Sequence, residues 1–136
     1  MVGGYAVALH GSLRLTQDLD VFVRTTDENI EKLRKALRLV FSDISIEEIT
    51  TAEIKDYSVI RFISEDNISV DIIGNLGERF LIDDINYEDI EIDGSKIRVA
   101  TLESLFRLKS NTCRPVDQED LLYIQEMINR KSKKND

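Results

Sequence analysis

The chain has 136 residues, 42% apolar and 32% charged, with a formal net charge of −8. That length suits one domain with a core of its own, expected over residues 1–131, with 132–136 as a frayed polar tail. The composition excludes several classes. No apolar run approaches the ~20 residues of a membrane span and no signal-peptide series opens the chain, so a cytoplasmic protein without a membrane partner is expected. The single cysteine, Cys113, excludes an internal disulfide or a cysteine-cluster zinc site and reads as a small packed side chain. The acidic balance argues against non-specific coating of nucleic acid, which depends on Lys and Arg neutralising phosphates.

In chain order, the glycine pair Gly3-Gly4 opens a short helix over Gly4–Leu9, expected to pack through Tyr5, Val7, Ala8 and Leu9. Only Met1 and Val2 precede it, so an N-terminal strand ending at Val2 would be nearly absent. His10, in the run HGSLR, reads as a structural hydrogen-bonding residue; Arg14 either orients the glycine loop or touches phosphate. Leu19–Val23 is the first strand. Thr26 or Asp27 then caps a helix with Ile30, Leu33, Leu37, Val40 and Phe41 on one stripe, while Glu28, Glu31, Lys32, Arg34 and Lys35 form its solvated face. Ile44–Ile49 alternates weakly, as a strand would.

Tyr57–Ile63 and Ile68–Ile73 form an antiparallel pair around Ser64-Glu65-Asp66-Asn67. Residues 77–86 carry no clear pattern. Ile90–Ile92 and Lys96–Val99 make a second hairpin around Asp93-Gly94-Ser95, and Thr101 caps a helix through Lys109. Pro115 ends that helix and Asp117 caps the last one, which carries Leu121, Ile124 and Ile128. The fold class is α+β.

Chemistry concentrates on three carboxylates. Asp18 and Asp20 alternate on a strand, so both project from one face while Leu19, Val21 and Val23 take the other. Carboxylates held that close must share a proton or bind a cation. Asp71, set among β-branched residues of an expected central strand, is costly there unless paired or cation-bound. On adjacent strands with one facing, the three suit two-metal phosphoryl transfer, with cations roughly 3.5–4 Å apart. Lys109 falls on the buried stripe of its helix with Leu102, Leu105 and Phe106, so it needs an anion: a nucleotide phosphate, Asp117 or Asp120.

Val2-Gly3-Gly4, thirteen intervening residues and Asp18-Leu19-Asp20-Val21 resemble the signature of the DNA polymerase β-like nucleotidyltransferase superfamily, with Asp71 in SVDII at the place of its third carboxylate. GGYAVALHGSLRLTQDLDVFV and LFRLKSNTCRPVDQEDLLYI are similar to the small prokaryotic branch that includes AbiEii-type toxins. The resemblance implies a nucleotidyltransferase fold, a mixed sheet flanked by helices. It also implies metal ligands at Asp18, Asp20 and Asp71, which would be the catalytic residues. Gly3 and Gly4 would hold the triphosphate, with Lys109 as a further phosphate contact beside the candidate Arg14. The implied cofactor is a pair of Mg²⁺ ions, with Mn²⁺ as the substitute. The implied reaction is transfer of a nucleoside monophosphate from an NTP to a hydroxyl of tRNA, a protein or a small molecule, with an antitoxin as partner. Gly-Gly stands where many active members carry Gly-Ser, and this, with the short start, supports an alternative: a degenerate module that binds nucleotide or protein without catalysis.

Overall fold

The computed structural model describes residues 1–11, 18–76, 81–110 and 115–134, the side chains of 115–117 and 134 excepted. The chain is α+β and divides into two compact units, one of residues 1–16 with 85–136 and the other of residues 17–84.

The second unit is a three-stranded mixed sheet with helices on one face. β1 (Asp18–Phe22), β2 (Val59–Ile63) and β3 (Ser69–Ile73) stand in the order β1-β3-β2. β3 is central, parallel to β1 and antiparallel to β2. The period of two sorts the side chains. Leu19, Val70 and Phe62 form one row across the sheet, and Val21, Ile72 and Ile60 the next. These rows meet α2 (Asp27–Val40) through Ile30, Leu33 and Leu37, together with Ile46, Ile49 and Ile54.

Thr26 caps α2 as expected, its hydroxyl accepting from the Asn29 N–H at 3.2 Å. Two details of this helix differ from the sequence reading. Val40 is exposed, because the helix ends there and Phe41 turns back to pack against Phe62, the rings tilted by 57° with centroids 5.3 Å apart. Arg34 is not solvated; it is partly buried and donates to the Ile49 carbonyl at 2.6 Å.

Residues 44–49 do not form a strand. Ile44–Glu48 is a 3₁₀ turn, η1, in which the Asp43 carboxylate accepts from the Ser45 N–H at 2.9 Å. Ile46 and Ile49, three apart, eclipse onto the core as that geometry dictates. The helix that follows, α3 (Thr51–Tyr57), was hidden in a stretch without strong periodicity. Its cap is Thr50, whose hydroxyl accepts from Glu53 N–H, and Thr-x-x-Glu is the capping-box pattern.

In the first unit, the hairpin β4 (Tyr87–Ile92) and β5 (Ser95–Ala100) turns at Asp93-Gly94, where φ is +51° and +82°. Positive φ at both central residues is the twist that a two-residue hairpin needs. The Met1 carbonyl accepts from Ala100 N–H and the Met1 amino group donates to the Arg98 carbonyl, both at 2.9 Å, so the first residues run beside β5.

α1 (Gly3–Leu9) buries Gly4, Ala6 and Val7 and leaves Tyr5 exposed, a face rotated from the expected one. It packs with β5, α4 (Leu102–Lys109) and α5 (Pro115–Lys134), around Val99, Leu102, Leu105 and Ile124. Thr101 caps α4 through Ser104 N–H. α5 begins at Pro115, so Asp117 lies inside its first turn rather than capping it; proline at a helix start loses no hydrogen bond. The helix continues to Lys134, into the segment expected as a tail.

Candidate active site

The pleat that turns Leu19 and Val21 toward the core turns Asp18 and Asp20 to the opposite face of the sheet. Parallel pairing sets Asp20 level with Asp71, and Asp18 level with Ser69. All three carboxylates therefore share one sheet face, within a single unit. The antiparallel neighbour completes the row: Arg61 on β2 is level with Asp71.

Arg61 closes on the carboxylates. Its Nε donates to Asp71 Oδ1 at 2.8 Å and its Nη2 to Asp71 Oδ2 at 3.1 Å, a bidentate pair, while Nη2 stands 3.6 Å from Asp18 Oδ2. The hydrogen bonds from Arg61 hold the Asp71 carboxyl below the usual carboxylate range, against the opposing effect of burial. The neighbouring Asp20 side chain acts on the Asp71 carboxyl in the same direction, as a smaller influence. Arg61 is itself held in its charged form, first by Asp71 and then by the fields of Asp18 and Asp20. The cluster thus meets its repulsion with one guanidinium. The Asp71 side chain is 15% exposed and that of Arg61 54%.

The other residues singled out in the sequence lie in the first unit. Gly3, at φ +70°, opens α1, and Gly4 is buried. Lys109 points inward as its stripe predicts, and its Nζ pairs with Asp120 Oδ2 at 2.9 Å, both side chains buried. His10 is a structural residue: Nε2 is 2.9 Å from the Ala100 carbonyl, Nδ1 is 3.6 Å from Glu88, and the His10 carbonyl accepts from the Tyr123 hydroxyl. Arg14 and Cys113 lie outside the described residues, as does the side chain of Asp117.

Carboxylate oxygens are the donors that hard divalent cations take, and one sheet face supplies three such groups, so the donor set fits a divalent cation. As the side chains stand, no group of three or more His, Cys, Asp or Glu residues converges as a metal site among the described residues. The guanidinium of Arg61, bonded to both oxygens of Asp71, is where their negative charge is met.

Residues 1–136 match the family described as "Nucleotidyl transferase of unknown function (DUF2204)". The chain belongs to that family. No curated protein matches it. The family's description is one of nucleotidyl transfer, in agreement with the superfamily signature, and the narrower likeness to AbiEii-type toxins stays with the two motifs that suggested it. Among the described residues no helix of this nucleotidyl transferase family member is long and apolar enough to cross a membrane.

Sequence reading missed Arg61. An arginine at the middle of a β-rich run, two residues from apolar neighbours on the same face, was the available signal.

Proposed function

We propose that this chain transfers a nucleoside monophosphate from an NTP to a hydroxyl acceptor in a reaction dependent on divalent cations. The observation that carries the reading is the level pairing of Asp20 with Asp71 on parallel strands, with Asp18 two residues away on the same face. Asp18, Asp20 and Asp71 would hold the cations. Mg²⁺, or Mn²⁺ in its place, would neutralise the triphosphate and favour ionisation of the attacking hydroxyl.

In the reaction the acceptor oxygen bonds to the α-phosphorus, the bond from that phosphorus to the β-phosphate oxygen breaks, and pyrophosphate leaves as the hydroxyl gives up its proton. The strands contribute positioning, since the ladder fixes the backbone from which all three carboxylates project. The resemblance assigns the phosphates to Gly3, Gly4 and Lys109, and Arg14 is a further candidate from the run HGSLR. It also supplies the candidate acceptors, tRNA, a protein or a small molecule, and a toxin role with an antitoxin partner. The bidentate seat of Arg61 on Asp71 favours a second reading, a nucleotide-binding module without turnover.

The deciding experiment incubates the chain with each NTP, with and without Mg²⁺, in the presence of total tRNA, and measures pyrophosphate. Release that needs metal and is lost in a folded Asp18→Asn variant supports the transferase. Metal-dependent nucleotide binding without release supports the module. Unchanged release by folded Asp18→Asn would sink the transferase assignment.

A further inference from the structure

We infer that Arg61 is a built-in counter-ion that competes with divalent cations for Asp71 and Asp18, so that a cation enters the carboxylate cluster only as the guanidinium leaves it. The inference rests on the proposed cation site and adds its regulation.

Three observations carry it. First, Arg61 engages both oxygens of Asp71, at 2.8 and 3.1 Å, so a cation seeking those oxygens meets a positive charge already on them. Guanidinium stays protonated at any working pH, so it cannot escape by titration and must move. Second, it can move. Arg61 lies on β2, at one end of the strand order β1-β3-β2, and its side chain is 54% exposed whereas that of Asp71 is 15% exposed. Displacing it moves an already half-exposed charge into water. Third, the same guanidinium reaches toward Asp18, with Nη2 3.6 Å from Oδ2, so one residue neutralises both strands of the cluster. Without it, a shared proton or a cation would have to carry the whole repulsion. A nucleotide arriving with its own cations brings both the replacement charge and an anion toward which a freed guanidinium can turn.

The test measures Mn²⁺ binding to the full chain in the absence of nucleotide, by electron paramagnetic resonance of the free ion, for wild type, Arg61→Gln and Arg38→Gln. Arg38, on α2, the helix that packs on the other face of the sheet, pairs with Glu31 of that helix and Glu47 of η1, and it controls for net charge. Arg61→Gln is expected to bind Mn²⁺ about tenfold more tightly than wild type, equivalent to about 1.4 kcal/mol, with Arg38→Gln close to wild type. Adding Asp20→Asn to Arg61→Gln is expected to reverse the gain. Circular dichroism establishes that each variant is folded, and Arg61→Met repeats the test should the glutamine variant fail to fold.

Equal or weaker binding by Arg61→Gln overturns the counter-ion role and leaves the cation site standing. An equal gain in Arg38→Gln reduces the effect to net charge and overturns it too. Absence of Mn²⁺ binding in every folded form overturns this inference together with the cation dependence of the proposed reaction.

Discussion

Two ion pairs in this molecule look alike on paper and differ in kind. Lys109–Asp120, in the first unit, is buried on both sides, at 9% and 3% exposure. Arg61–Asp71, in the second, joins a mostly buried carboxylate to a half-exposed guanidinium. A pair sealed on both sides separates only at a high cost for charge in the interior, so it ties α4 to α5. A pair open on one side can exchange its cation, and that is the property a chemical site needs. The difference comes from the elements: two packed helices enclose the first pair, while an outer strand presents the second.

Substitutions can break or sharpen this contrast. The largest effect is chemical. Asp18→Asn removes a carboxylate beside Arg61 without touching the apolar face of the sheet, and it is expected to bring pyrophosphate release to background while the circular dichroism spectrum stays unchanged.

Next is the sealed pair. Lys109→Met removes the cation that faces the buried Asp120 carboxylate, with an expected loss of about 3–5 kcal/mol in urea unfolding. The double variant Lys109→Met/Asp120→Leu should regain most of it. A single variant within about 1 kcal/mol of wild type would show that the site is wetter than its burial indicates.

Breaking the open pair should cost little. Arg61→Gln is expected to lower stability by under about 1 kcal/mol, with the loss shrinking as salt rises from low to physiological ionic strength. A loss as large as that of Lys109→Met would place both pairs in the same class. Smallest of all, Arg38→Gln, in an exposed network with Glu31 and Glu47, should change stability by about 0.5 kcal/mol or less.

Much of the second unit was legible before the structure. The i, i+2 spacing of Asp18 and Asp20, the cap at Thr26 and the apolar stripe of α2 each follow from a period that the sequence carries openly. The inward lysine was legible for the same reason, although its stripe could not choose between phosphate, Asp117 and Asp120; the described partner is Asp120. Arg61 was not legible, and the reason is register. A turn confined to residues 64–67 makes Ile63 face Ile68 and sets Arg61 beside Val70. In the fold Ile68 belongs to the loop, donating its N–H to the Ser64 hydroxyl, and Ile63 pairs with Ser69. That shift of one residue is what brings Arg61 level with Asp71, because a one-residue slip exchanges the faces of a strand. Residues 44–57 failed differently. Caps at Asp43 and Thr50 decide short helical turns there, and weak alternation concealed them.

The parallel pairing of β1 with β3 also has a consequence for how the molecule assembles. Arg61 and Asp71 are ten residues apart and meet across a hairpin, whereas Asp20 must wait for a partner about fifty residues later, a far costlier loop to close. The order of events then follows the order of charges: the hairpin brings arginine to Asp71 before the strand carrying Asp18 and Asp20 docks. Pulsed hydrogen exchange during refolding should find the β2–β3 amides protected ahead of those of β1; simultaneous protection would refute the sequence of events. On that order, the three carboxylates come together around a cation already in place.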